Sequence, residues 1–245
     1  MSGSGPQLAG QAVIVIGGSS GIGLETARLA VTEGAAVTIT GRDPGRLAAA
    51  ARDVGAQRSA AFDVYDAAAL KGFFDGVPGP IDHVLVTAGA PSYGPLLEMD
   101  AAQASFALSS HIVSSLAVAR NVVGKLRAGG SLLLVGGTGG RRVRRAVGIV
   151  PAATAALPPF TAALALEMAP ARVNLIAPGF VDTPLSASLL GDQLSARRDQ
   201  LRAALPIGRV VGPADVAALA VHLMANQALT GATYDVDGGQ QFTDA

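Results

Sequence analysis

The chain has no cysteine and no tryptophan, two lysines (Lys71 and Lys125) and three histidines (His83, His111 and His222). Without cysteine there are no disulfides, no thiolate metal ligands and no thiol nucleophile. Three histidines so widely spaced argue against a histidine-built metal centre, and no metal is expected. No apolar run reaches the roughly 18–20 residues that a membrane span needs. The opening MSGSGPQLAGQAVIVIGG lacks a basic leader followed by an apolar segment and a cleavage site, so it does not read as a signal peptide. Positive and negative residues balance at 18 each, which gives no electrostatic basis for a nucleic-acid partner. The expectation is a cytoplasmic protein with neither membrane nor nucleic acid as partner.

What the chain does have is apolar residues, 50% of the total, in 245 positions. That length suits one large α/β domain with a substantial core. Short β-branched runs alternate with longer Ala/Leu-rich stretches of helical period. The strand-like runs are 12–16, 35–40, 58–64, 82–89, 129–137, 171–179 and 231–239. Between them lie helical patterns, including 21–34 closed by Gly34, and a segment in which Asp43 reads as N-cap and Pro44 as first helical residue. A further amphipathic stretch runs from about 101 to 126, and Pro158-Pro159 interrupts the helical pattern of 152–169. This alternation predicts an α/β fold: a doubly wound, Rossmann-type parallel sheet of about seven strands with helices on both faces. Residues 1–245 read as one domain, with a lid-like helical insertion at about 183–209.

The first chemical signal is VIVIGGSSGIG, where Gly17, Gly21 and Gly23 follow a strand and open a helix. Glycines there let backbone approach a pyrophosphate, and the helix N-terminus offers it N–H groups and a positive dipole end. The spacing is G-x-x-x-G-x-G rather than the G-x-G-x-x-G of the usual dinucleotide fold. AFDVYD, VTAGAPSYG and NLIAPGFVDTP stand at the C-terminal ends of later strands, the edge at which open α/β sheets bind ligands.

Taken together, in this order and spacing, these motifs resemble the short-chain dehydrogenase/reductase family over about residues 11–239. The resemblance implies that Gly17, Ser19, Ser20, Gly21, Ile22 and Gly23 hold the phosphates of a nicotinamide cofactor. It places Asp63 and Val64 at the adenine, and Ala88 and Gly89 at the ribose, although Val86 and Thr87 replace the two asparagines of the family's N-N-A-G. Pro178, Gly179 and Thr183 would face the nicotinamide. The second strand leads into Gly41-Arg42 with no carboxylate at its tip. Arg42 can pair with a 2′-phosphate, so NADP(H) is expected over NAD(H), against the alternative of a solvated arginine before the Asp43 cap.

The family's chemistry uses a serine, a tyrosine, a lysine four residues after it, and an asparagine. Anchored on Gly140, Glu167 and the APG of 177–179, those positions fall at Gly137, Val150, Thr154 and His111. No tyrosine in the chain stands four residues before a lysine. The candidate replacements are His111, with a reference pKa near 6.5, Tyr93, and the hydroxyl of Thr138. The segment GGRRVRRAV between the fifth strand and the next helix carries Arg141, Arg142, Arg144 and Arg145, in a chain with sixteen arginines. Three readings stay open for this cluster: a solvated loop, a site for an anionic substrate or acidic partner, or a source of an electrophilic arginine.

Three functions follow. The first is an atypical NADP(H)-dependent oxidoreductase acting on a carbonyl or hydroxyl substrate. The second is an NADP(H)-binding sensor or the non-catalytic partner of an active homologue. The third is a lyase or isomerase using the same pocket with His111 as base. The resemblance also implies a homodimer or homotetramer.

Overall fold

The computed structural model describes residues 6–89, 91–141, 143 and 147–244. Seven strands, β1 (Ala12–Ile16), β2 (Ala36–Gly41), β3 (Arg58–Ala61), β4 (Ile81–Val86), β5 (Leu126–Val135), β6 (Arg172–Pro178) and β7 (Thr233–Val236), form one sheet. Its order is β3-β2-β1-β4-β5-β6-β7, and every pairing is parallel. The chain reverses its direction of travel across the sheet between β1 and β4, and the crevice at such a reversal is where ligands bind in folds of this kind.

Successive strand residues point to opposite faces. Val13 and Val15 enter one core with Val37, Ile39, Leu85 and Leu133, while Ile14 and Ile16 enter the other with Val84, Leu132 and Leu134. The first core is covered by α1 (Gly21–Thr32), α2 (Pro44–Val54) and α9 (Pro213–Ala225). The second is covered by α3 (Ala67–Asp75), α4 (Ala101–Val122) and α6 (Leu157–Glu167). Burial on both faces is why the strands read as continuous apolar runs rather than alternating ones.

α2 starts as its sequence predicts: Pro44 is the first helical residue, and the Asp43 carboxylate accepts from the Arg46 N–H at 2.8 Å. The helical pattern of 152–169 is broken as its prolines require. α5 (Val150–Ala155) ends at Ala156, and α6 restarts with Pro158 and Pro159 in its first turn, where missing N–H groups cost nothing. β3 departs from expectation. It stops at Ala61 because Asp63 accepts from the Tyr65 N–H at 3.0 Å, a local turn that takes Asp63 and Val64 out of the sheet and into the loop beyond it.

After β6 come α7 (Pro184–Leu190) and α8 (Leu194–Ala204), joined by a single 3₁₀ turn over Gly191–Gln193. α4 is the one described helix long and apolar enough to cross a bilayer, and here it packs against α3, α5, α6 and β5.

Candidate functional site

At the end of β1 the chain turns sharply: Gly17 takes φ 93°, and the Gly18 N–H returns to Thr40 O at 2.8 Å. The Thr87 hydroxyl, from the end of β4, points at the carbonyls of Ile16 (3.0 Å) and Gly17 (3.1 Å) and ties the two strand ends together. A Cβ on Gly17 would collide with that hydroxyl, and one on Gly23 would collide with the Gly17 carbonyl. Both positions therefore require glycine. Ser20, in extended conformation before α1, makes no side-chain cap, so no side chain competes for the first-turn N–H groups. Thr183 is brought over the same turn, its Cγ2 standing 3.4 Å from where a Gly21 Cβ would be. It caps α7 through a reciprocal pair with Ser186. Gly17, Gly21, Gly23 and Thr183 thus form one backbone-lined cradle of the kind a pyrophosphate fits.

The Tyr65 hydroxyl, whose pKa is raised first by burial, feels Asp63 and Arg42 with opposite signs. Asp43 is committed to its cap, which holds its carboxyl below the usual range. Arg42 is exposed at the tip of β2.

The cradle opens into a cavity of about 620 Å³. Its floor is Gly136, Gly137, Thr138 and Gly139 after β5, with Pro178 and Gly179 after β6. The strand-end loops are knitted together there by a bridge between Gly94 and Val147. Gly137, Val150 and Thr154 converge on this floor. A Cβ on Gly137 would stand 3.5 Å from both Thr154 Cγ2 and Pro178 O, and one on Gly139 would stand 3.2 Å from Val150 Cγ1. The Thr154 hydroxyl is buried and turned back to Val150 O at 2.9 Å.

His111, on α4, lines the cavity with its imidazole against the backbone of Gly89. Its ring nitrogens have no hydrogen-bond partner among the described residues, and burial lowers its pKa. An imidazole shifted in that direction is neutral at pH 7, which suits a base and works against the donor expected from sequence. Tyr93 lines the opposite loop, half exposed, and what burial it has raises its pKa. No lysine stands near it to act in the other direction: Lys71 pairs with Asp75, and Lys125 bonds Phe74 O.

Arg141 does not line the cavity. Its guanidinium pairs with Asp235 of β7 at 2.9 Å, and Gln241 Nε2 donates to the same carboxylate at 3.1 Å. Arg142, Arg144 and Arg145 lie outside the described residues. Among the described residues, the charged side chain that lines the cavity is Arg197 of α8, which lies within the lid-like insertion at 183–209 but was not among the expected site residues. Its neighbour Arg198 is held by Asp182 in a two-bond fork of 2.8 and 2.7 Å. Adjacent helical residues diverge by about 100°. Arg197 is thereby turned to the cavity, donating to Gln200 and lying 5.9 Å over the Phe180 ring. Leu185, Leu189 and Leu190 complete that wall.

The model of the enoyl-(acyl carrier protein) reductase family matches residues 16–241. A short-chain dehydrogenase/reductase of Stachybotrys chlorohalonatus is 30% identical, over 96% of this chain and 98% of its own. The chain belongs to the short-chain dehydrogenase/reductase family. Among solved structures, a reductase/Diels-Alderase from Malbranchea aurantiaca superposes with a TM-score of 0.88 at 25% identity, covering 97% of this chain and 98% of that one. A small-chain dehydrogenase in complex with NADPH gives 0.81 at 29% identity, covering 95% and 99%. In short-chain dehydrogenase/reductase terms, the cradle, the cavity and the α7–α8 wall all stand at the C-terminal edge of the sheet, where this family's seven parallel strands present their loops.

Proposed function

We propose that the protein is an NADP(H)-dependent oxidoreductase with a non-standard active site, acting on an apolar carbonyl or hydroxyl substrate. The observation that carries this is the continuity of the glycine cradle with the cavity floor: one crevice at the strand reversal holds room for a dinucleotide and, beyond it, for a substrate. The side-chain-free surface that Gly17 and Gly23 must leave suits the pyrophosphate. Ser19, Ser20 and Ile22 flank it, Asp63 and Val64 border the adenine, and Ala88 and Gly89 the ribose. Pro178, Gly179 and Thr183 receive the nicotinamide end. A bound nicotinamide supplies or accepts a hydride. Arg42, with no competing carboxylate beyond the cap, favours the 2′-phosphate. α7 and α8 act as a lid over the cavity, and the chain assembles as a homodimer or homotetramer.

Calorimetric titration with NADPH, NADH and their oxidised forms tests the reading. Tight binding that favours the phosphorylated pair supports it; binding of none of the four refutes it.

A second reading is favoured by the occupants of the floor. With Gly137, Val150 and Thr154 at the serine, tyrosine and lysine positions, the pocket could bind cofactor without redox chemistry, as a sensor or a partner subunit. It could also guide a non-redox conversion, and one structural neighbour is both a reductase and a Diels-Alderase. Product formation with unchanged nicotinamide absorbance would select that reading.

A further inference from the structure

After β7 the chain folds back on itself. Gly238 and Gly239 take φ 63° and 85°, and the buried Asp237 carboxylate accepts from the N–H groups of Gly239 (2.8 Å) and Gln241 (3.0 Å). A closed 3₁₀ turn over Gln240–Phe242 results. It is packed from behind: a Cβ on Gly238 would stand 2.7 Å from Ile207 Cδ1, and one on Gly239 would stand 2.7 Å from Pro206 Cγ. Gln240 and Gln241 both line the cavity from this turn.

The two side chains have different partners. Gln241 Nε2 donates to Asp235, a carboxylate that Arg141 also holds. Gln240 Oε1 instead accepts from the Phe180 N–H at 2.8 Å, across 60 residues of sequence. An N–H is met by the amide oxygen and not by its NH₂, which fixes the orientation of the Gln240 amide. The packing there is close: a Cβ on Gly179 would stand 2.6 Å from Gln240 Oε1 and 2.7 Å from Asp237 Cβ. The adjoining Gly179 N–H is taken by Val236 O at 3.1 Å. Two successive N–H groups of the segment leaving β6 are thus held from β7 and its turn, one by backbone and one by the Gln240 side chain. At the other end of the crevice the glycine cradle has a separate support, the Thr87 hydroxyl on the carbonyls of Ile16 and Gly17.

We propose that Gln240 is a positioning residue for the nicotinamide half of the cofactor. By holding the Phe180 N–H, its side-chain carbonyl fixes the Gly179–Phe180 peptide in the place against which the ring lies. The inference rests on the reading above, in which Pro178, Gly179 and Thr183 receive the nicotinamide end. Because cradle and cavity wall have separate supports, loss of Gln240 acts on one half of the cofactor and spares the other.

The test is calorimetric titration of the parent chain, Gln240→Met and Gln240→Glu with NADPH and with adenosine 2′,5′-bisphosphate, which has no nicotinamide. Methionine keeps the length of the side chain and removes the acceptor; glutamate keeps an acceptor. Gln240→Met should weaken NADPH binding about three- to tenfold, what one neutral hydrogen bond is worth, and leave the bisphosphate affinity unchanged. Gln240→Glu should bind NADPH more tightly than Gln240→Met does. A second readout needs no cofactor: exchange of the Phe180 amide hydrogen, followed by NMR, should be at least about tenfold faster in Gln240→Met than in the parent or in Gln240→Glu. Unchanged NADPH affinity in Gln240→Met overturns the inference and leaves the oxidoreductase reading standing. Equal losses for both ligands overturn it too, because they reduce Gln240 to a prop for the whole fold. If Gln240→Met does not fold, slow Phe180 exchange in the parent and in Gln240→Glu supports the inference, and fast exchange in the parent overturns it. A parent chain that binds neither ligand overturns the inference and the reading together.

Discussion

The imidazole of His111 lies directly on the Cα of Gly89, inside the space that any side chain at position 89 would need. This contact joins α4 to the loop after β4 and leaves no freedom at either residue. Gly89→Ala should therefore cost about 1–3 kcal/mol of stability through overpacking. Adding His111→Ala to it should recover most of that loss, because the clash has one partner. Urea unfolding of the two single variants and the double variant measures the coupling; additive losses would show that the contact does not constrain the fold.

His83 offers a pH dependence with a definite sign. Burial, reinforced by the Arg172 guanidinium, lowers its pKa from 6.5 to about 4. Its Nε2–H donates to Gln11 Oε1, and its Nδ1 accepts from the Ser131 hydroxyl at 2.9 Å, which is the neutral tautomer's pattern. Below pH 6.5 the unfolded chain takes up a proton that the folded chain refuses, so acid favours unfolding. Stability should fall by about 3 kcal/mol between pH 6.5 and 4, with no further loss from this residue below that. His83→Leu, whatever its own cost, should flatten that part of the profile in denaturant titrations run across the range.

Arg42 separates the two cofactors. A charge-assisted bond to a 2′-phosphate is worth about 1.5–3 kcal/mol. Arg42→Ala should therefore weaken NADPH binding by roughly ten- to a hundredfold and leave NADH affinity where it was. Calorimetry on the variant decides it, and equal losses for both cofactors would return Arg42 to an ordinary loop residue.

The parts of this architecture that could be read from sequence are those decided within a few residues. Asp43 and Pro44 announce α2 because a cap and a fixed φ act on the next turn, and Pro158-Pro159 announces the break before α6 for the same local reason. The glycine turn after β1 was legible because the close approach of Gly23 to the Gly17 carbonyl lies within one strand-to-helix turn. Contacts between distant segments were not legible. Asp235 is 94 residues from Arg141, and nothing near either one states that they pair. Arg197 and Arg198 look alike as neighbours in a polar run, and only the position of Asp182 decides which of them faces the cavity. The end of β3 at Ala61 was missed because Asp63 opens a turn inside an otherwise strand-like AAFDV.

The Asp182–Arg198 fork fastens α8 to the segment after β6. Both side chains are about a third exposed, so solvent screens the pair and it contributes little to global stability. Its consequence is local. Arg198→Ala should leave the unfolding midpoint nearly unchanged while speeding proteolysis within 184–204, and it should raise KM for substrate more than it lowers kcat. Limited proteolysis with mass mapping checks the first effect and steady-state kinetics the second. Cleavage as slow as in the parent chain would mean that the buried side chains of Leu201, in α8, and Leu205, at its end, hold the helix without help.

The last prediction concerns the floor. Gly137, Val150 and Thr154 meet around one point, and the Gly137 position has room for a side chain with no atom closer than 3.5 Å. Gly137→Ser, Val150→Tyr and Thr154→Lys together would place a hydroxyl donor, a phenol and an ammonium, each at a position that now lacks it. The ammonium favours the ionised phenol and so draws its pKa towards neutrality, the match that proton donation to a forming alkoxide needs. The triple variant should reduce an isolated ketone about 10²–10⁴-fold faster than the parent chain, and its rate should follow the titration of the new tyrosine. Single substitutions should gain far less, because the tyrosine without the lysine keeps its ordinary pKa, and the lysine alone donates to nothing. A triple variant that folds, binds NADPH and still ignores the ketone would mean that the cradle presents the nicotinamide to some other part of the cavity.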